Sequence, residues 1–438
     1  MIRSFLSALA LVLFAALPAR AIDIQEVTSP GGITAWLVED DSIPFVALEI
    51  AFKGGASVDA PDKRGAINLM TALLEEGAGD RDAVAFAQAM EELAASAGFD
   101  VSDDAVSISF RALTENRDRA ADLLADALTR PRFDADAIER VRAQVQSSIR
   151  AQDSDPQGIA SKEMARRAWG DHPYGSVISG TEGSVAALTR DDLLAAKDRV
   201  LARDRVLVSA AGDIDAEALG MLIDRILGGL PAQATAPLPP KADLKLTGET
   251  VVIDWDSPQT VVSFAQPGLP MDHPDYFAAF VLNHILGGGG FSSRLMEEIR
   301  EKRGLTYGVG TGLSNMVLGE TWAGGMATAN DRTGEAVALV REVWGAMREG
   351  VTEQELHDAK TYLTGEYPLR FDGNRRIAGI LSGMQLMGMP RDYVNTRNQK
   401  IEAVTAEDVE RVAREVLDPG KLEFVLVGRP EGIEASGS

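Results

Sequence analysis

The 438-residue chain contains no cysteine and only four histidines. Without cysteine there are no disulfides, no thiolate metal ligands and no cysteine nucleophile. His172, His273, His284 and His357 never fall within one helical turn of each other, so no pair of imidazoles is spaced to grip a metal from a helix face. His172 lies in the turn-like His172-Pro173-Tyr174-Gly175 and reads as a loop histidine bonded to backbone. His284, within Val281-Leu282-Asn283-His284-Ile285-Leu286, reads as a satisfied core residue. No Gly-x-Ser-x-Gly occurs, which leaves a serine hydrolase without support.

Positive charge is also scarce, with 43 Lys and Arg against 66 Asp and Glu, a net charge of −23. Such a surface repels nucleic acid and anionic membranes, so neither is expected as a partner. The one long apolar run, Phe5 to Leu17, follows Arg3 and precedes Ala19-Arg20-Ala21. It is short for a membrane span and reads as a signal peptide over residues 1–21, cleaved after Ala21, which predicts export to a bacterial periplasm with no anchor left behind. The mature chain would hold 41 basic against 66 acidic residues, a net charge of −25. Lacking cysteine in an oxidising compartment, it must rely on burial for stability, which its length allows.

Three segments carry the functional signal. In the first, Arg64 to Gly77, the apolar Ile67, Leu69, Met70, Leu73 and Leu74 predict a core helix closing at Gly77, and Asn68, Thr71 and Ala72 share one helical side. The second is Val145-Gln146-Ser147-Ser148-Ile149, followed by Asp153-Ser154-Asp155-Pro156. The third runs from Gly287-Gly288-Gly289-Gly290-Phe291-Ser292-Ser293-Arg294-Leu295 through Arg300 to Gly304-Leu305-Thr306-Tyr307. There Ser292 or Ser293 is placed to cap a helix, Gly304 to close it, and the glycine run to act as a flexible hinge. That run lacks the Lys-Ser/Thr of a phosphate loop.

Together these segments resemble the pitrilysin/insulinase-type metallopeptidases over essentially the whole mature chain. In that family a Gly-x-x-His-x-x-Glu-His-x-x-x-x-Gly helix and a distal glutamate build a zinc site. Here the corresponding positions are Asn68, Thr71, Ala72 and Ser148. None supplies the imidazole, thiolate or carboxylate that zinc takes, so no cofactor is expected in this chain. The third segment is similar to the family's Ser-Ser-Arg-Leu…Arg-x-x-x-Gly-Leu-x-Tyr pattern, in which an arginine and a tyrosine reach toward the zinc site to hold the substrate backbone. Arg300 and Tyr307 match those two positions. A guanidinium offers a rigid fork of donors and a phenol can donate to a developing oxyanion. On the bland alternative, Arg300 pairs with Glu297 or Glu301 and Tyr307 faces the core.

A Pro-rich stretch within 231–244 separates an N-terminal region, 22–230, from a C-terminal one, 245–432. The halves echo each other: Leu188-Thr189-Arg190-Asp191-Asp192 and Val404-Thr405-Ala406-Glu407-Asp408 are offset by 216, and Asn116 and Asn330 by 214. Strand-like alternation at Val46–Phe52 and Val106–Phe110, with a helical stripe at Ile138, Val141, Val145 and Ile149, predicts an α+β fold. Two homologous domains are expected, each a largely antiparallel sheet covered by helices. The resemblance implies that they form half of a clamshell around a peptide chamber. It further implies a non-catalytic, substrate-binding subunit of a heterodimer similar to the mitochondrial processing peptidase. A zinc-bearing peptidase subunit would be the partner, peptides the substrates, and Arg300 and Tyr307 would act in trans. The alternative is a peptidase-like scaffold with no part in hydrolysis. An active homodimer is disfavoured because neither copy would carry zinc.

Overall fold

The computed structural model describes residues 22–436, so the expected signal peptide lies outside the described residues. Two sheets organise the chain. The N-terminal one orders its strands Gln25–Thr28, Thr34–Glu39, Val206–Gly212, Phe45–Lys53, Ala105–Leu113 and Ser96–Val101. Thr34–Glu39 and Val206–Gly212 pair in parallel, and its other described pairs are antiparallel. The C-terminal one runs Thr306–Met316, Gly319–Ala329, Gln259–Pro267, Glu423–Gly428 and Thr250–Asp254, again with one parallel pair, the last two. Read from opposite ends, the two orders correspond strand for strand, apart from the added edge strand Gln25–Thr28. The internal repeat is therefore a repeat of topology. Its echoing Thr-x-x-Asp tetrads are capping boxes, Thr189 with Asp192 and Thr405 with Asp408, that start equivalent helices.

Each sheet has a large core on its helical side, one centred on Leu48, Ile50, Phe52 and Phe110, the other on Phe264, Trp322, Trp344 and Phe424. The opposite faces are covered reciprocally. Helix Asn374–Leu386, from the C-terminal half, lays Ile377, Ala378, Leu381 and Met384 on Trp36, Ala47 and Ala211 of the N-terminal sheet. Helix Pro156–Trp169 sets Ala160 and Met164 against Ala265, Val425 and Val427 of the C-terminal sheet. Polar hooks fix each exchange. Gln385 Nε2 donates to Val208 O at 2.8 Å and Ser209 Oγ at 2.7 Å, while Arg167 binds both Glu249 and the buried Glu423. Burial pushes the Glu423 carboxyl up, but Arg167 and the N–H groups of Thr247 and Gly248 outweigh it and hold it below its ordinary value.

The Pro-rich segment has no helix or strand, yet it is tied down. Thr235 N donates to Asp198 O at 2.9 Å, Ala242 N donates to Leu318 O at 2.7 Å, and Arg205 binds Ala236 O. No helix among the described residues is long and apolar enough to cross a membrane.

Candidate functional site

The helix carrying Asn68, Thr71 and Ala72 is Ala66–Ala72. It ends before Gly77, because Leu73 N and Leu74 N turn back to Met70 O at 3.1 Å and Thr71 O at 3.2 Å. Gly65 offers no side-chain cap, so the orphan N–H groups are taken from a distance: Asp59 accepts from Gly65 N and Ile67 N, both at 2.9 Å. Burial drives the Asp59 carboxyl up to about 6, against the pull of those two N–H groups and of Arg64. Arg64 in turn donates to Asp103 at 2.9 Å, Ser176 O at 3.0 Å and Val177 O at 3.1 Å. The helix is fixed from outside its own sequence.

Helix Ala135–Asp153, which carries Ser148, and the edge strand Ser96–Val101 both pack against Ala66–Ala72. Asn68 and Ala72 are half-buried and Ser148 is exposed, next to the buried Ile149. Thr71 is buried and its hydroxyl has no hydrogen-bond partner among the described residues. An amide, two hydroxyls and a methyl do not make a zinc donor set, so these residues do not fit the metal that the motif's geometry would otherwise place here. Among the described residues no group of three or more His, Cys, Asp and Glu is arranged to hold a metal ion.

The C-terminal segment is built differently. His284–Gly288 and Met296–Glu301 are π-helices, the second closed by Lys302 N donating to Glu297 O at 2.9 Å. The glycine run packs closely and is no loose hinge. A Cβ on Gly287 would lie 2.5 Å from Thr311 Oγ1, so only glycine lets this turn approach the edge strand. The expected serine cap is absent as well, because Ser293 Oγ donates backward to Gly290 O at 2.7 Å and Ser292 Oγ to Gly289 O at 2.9 Å. Arg294 anchors the segment through a bidentate pair with Glu355, at 2.6 and 2.8 Å, that holds the Glu355 carboxyl down at about 2.

Arg300 sits on the second π-helix and Tyr307 on the strand Thr306–Met316, the outer edge of its sheet. The ladder slips between Thr306 and Val309, so Tyr307 and Gly308 together oppose a single partner residue. The Thr306 hydroxyl donates to Ala327 O at 2.7 Å and accepts from Gly308 N at 3.1 Å, which holds this bulge. A bulge re-aims side chains, and Tyr307 is thrust outward to 89% exposure. Arg300 and Tyr307 line one open cavity of about 510 Å³ together with Gln259, Glu301, Gly304 and Thr306. Arg300 pairs with Glu301, as the bland alternative has it, and its guanidinium lies 4.5 Å over the Phe291 ring, but Tyr307 does not face the core. None of the four degenerate positions borders this cavity, so the two candidate sites stay apart within the chain.

His172 takes a loop position as read: Nδ1 accepts from Tyr174 N at 3.3 Å and Nε2 donates to Pro240 O at 3.2 Å. His284 is half-buried and stacked 5.0 Å from Tyr362, with burial lowering its basicity.

Residues 35–182 match the family model described as Insulinase (Peptidase family M16), and residues 187–363 match the Peptidase M16 inactive domain. A solved peptidase M16 inactive domain from Pseudomonas fluorescens is 30% identical, with a TM-score of 0.87 over 95% of this chain and 100% of that one. The chain belongs to the M16 peptidase family. The non-peptidase homolog YmxG of Helicobacter pylori is 28% identical to this M16 protein over 429 residues, 97% of this chain and 98% of its own. The periplasmic protease PqqL from Escherichia coli shares the fold alone, at 16% identity and a TM-score of 0.79 over 93% of this chain and 46% of that one. Inactive and non-peptidase members are among these likenesses. This chain is a peptidase-like M16 protein with the helix-and-sheet fold of its M16 neighbours.

Proposed function

We propose that this protein is the substrate-holding subunit of a two-chain periplasmic zinc peptidase, inactive by itself, and that Arg300 and Tyr307 serve an active site whose metal and general base belong to a partner subunit. The observation that carries the reading is Tyr307, a large aromatic side chain that a held bulge exposes to solvent beside a guanidinium. The phenol hydroxyl and the guanidinium thus offer hydrogen-bond donors side by side in one open cavity.

In this role Arg300 donates to backbone carbonyls of an extended peptide. The Tyr307 hydroxyl donates to the oxygen that gains charge as the scissile carbonyl becomes tetrahedral. Both act by position, with no proton leaving either group. Residues 22–230 and 245–432 would be the two domains, joined by 231–244, and 1–21 the signal peptide.

The pairing of Arg300 with Glu301 is the one observation that favours a scaffold without a part in hydrolysis, because it already satisfies part of the guanidinium. A single experiment separates the two readings. The mature chain is mixed with a zinc-bearing M16 subunit from the same host and hydrolysis of an internally quenched peptide is followed. The subunit reading expects turnover only from the mixture, with a sharp loss on Tyr307→Phe. Equal turnover by the partner alone sinks it. Mass analysis of the exported chain, expected to begin at Ile22, tests the compartment.

A further inference from the structure

The strand that presents Tyr307 has a weakness. Among the described residues Thr306–Met316 is an edge strand, hydrogen-bonded within the sheet on one side only. Gly308, Gly310 and Gly312 stand in it, and Gly324 and Gly325 stand in its one neighbour. Glycine inside a strand leaves the backbone easy to bend. Tyr307 and the turn at Val317 are ten residues apart, roughly 30 Å along an extended chain. Something must fix this hairpin if Tyr307 is to be held in place.

The turn is gripped from the other half of the molecule. Val317 N donates to Asp104 Oδ2 at 3.0 Å, and Leu318 N donates to Tyr174 Oη at 3.0 Å. Tyr174 donates its own hydroxyl to Asp104, so the two grips are one unit. Burial, reinforced by the Asp104 carboxylate, holds that phenol protonated by raising it well above its ordinary value. A Cβ on Gly319 would come within 2.7 Å of the Trp169 ring, so the turn seats flat against the aromatic pair Trp169 and Tyr174, whose centroids are 5.7 Å apart. Ala242 N donating to Leu318 O at 2.7 Å closes the third side. The neighbouring Asp103 is held by Arg64, two residues before the helix of the degenerate site.

We infer that Asp104 and Tyr174 are positioning residues for Tyr307: they clamp the far end of its hairpin to the N-terminal half and so set where the phenol stands when the partner closes over it. The inference rests on the function proposed above, and it gives the His172-Pro173-Tyr174-Gly175 turn a task beyond that of a loop.

The test is a double-mutant cycle on the assembled pair. Tyr174→Phe keeps the ring against Trp169 and removes only the hydroxyl; Asp104→Asn is the second variant. Each is expected to lower kcat about 10-fold with KM changed less than about twofold, and to have no further effect in a Tyr307→Phe background. Losses of equal size in both backgrounds, or no loss of kcat, overturn the inference. Hydrogen exchange on the unpartnered chain gives an independent reading. Faster exchange of the Thr306–Met316 amides in Tyr174→Phe supports the clamp, and unchanged exchange there refutes it even if the protein melts earlier. Should Tyr307→Phe by itself leave kcat intact, the proposed function fails, and exchange alone then judges the clamp.

Discussion

The two halves share a strand order but treat the regions after the equivalent strands Phe45–Lys53 and Gln259–Pro267 in opposite ways. In the N-terminal half, Ala66–Ala72 is a regular helix with Thr71 sealed inside and no group able to bind a metal. In the C-terminal half, residues 284–307 leave α geometry three times, in two π-helices and the 3-10 turn Gly290–Ser292 between them, and ladder geometry once, and they end on the most exposed large apolar side chain among the described residues, Tyr307. The contrast shows that a helix frame and its chemistry are separable. Ile67, Leu69, Met70 and their neighbours hold the first region whatever stands at positions 68, 71 and 72. The second region departs from regular geometry where Arg300 and Tyr307 stand, and the role proposed for these two residues would account for that departure.

The sharpest way to break that comparison is to remove the chemistry from the second region. Tyr307→Phe or Arg300→Ala in the assembled pair should lower kcat/KM by about 10²- to 10³-fold, the range for loss of a preorganised oxyanion donor. Tm should barely move, because Tyr307 is exposed. The reverse test returns chemistry to the first region. Asn68→His, Thr71→Glu, Ala72→His and Ser148→Glu together should let the isolated chain take up zinc near one per molecule by elemental analysis, while the wild type stays near zero. Failure to bind would mean that the helix no longer faces Ser148 in the geometry that its sequence spacing implies.

Local patterns in the sequence carried much of this. The apolar spacing around Asn68, Thr71 and Ala72, the repeated Thr-x-x-Asp caps and the Arg300-to-Tyr307 spacing depend on residues close in sequence. The π-turns and the bulge were hidden, because they depend on contacts such as Gly287 with Thr311 and Thr306 with Ala327. The reciprocal covering helices were hidden too, since Ile377 meets Trp36 across more than three hundred residues. His172-Pro173-Tyr174-Gly175 was legible as a turn. Its grip on Val317 and Leu318 was not, because nothing in the tetrapeptide names its partner.

A pH series sharpens the comparison at the carboxylates that fix the two regions. Asp59 is raised to about 6 by burial, so its contribution to stability is fully present below its unfolded value of 3.8 and is lost as pH rises through about 6. The loss is on the order of 3 kcal/mol, and Asp59→Asn should remove that slope from urea-denaturation curves taken between pH 4 and 6.5. Glu355 behaves oppositely: held down at about 2 by Arg294, it contributes stability above its unfolded value of 4.5 that disappears as pH falls through about 2. Because its side chain keeps 30% of its exposure, solvent screening reduces the effect to about 1–2 kcal/mol. Identical slopes in wild type and Glu355→Gln would show that the Arg294 pair does not anchor the glycine-run segment.

The smallest effect concerns Thr71 alone. Its hydroxyl is buried on the helix that carries Asn68 and Ala72, and it has no hydrogen-bond partner among the described residues. A hydroxyl shut away from water without a hydrogen bond loses hydration and gains nothing in return. Valine has nearly the same shape, so Thr71→Val should raise stability by about 1 kcal/mol, read as a higher urea midpoint at unchanged m value. The same exchange at Thr306, whose hydroxyl holds the bulge under Tyr307, should instead destabilise by about that amount. The opposite signs would separate a region that has stopped serving a site from one still shaped by it. A loss of stability from Thr71→Val would place a bound water or an unrecognised partner at that hydroxyl and make the first region less idle than its donor set implies.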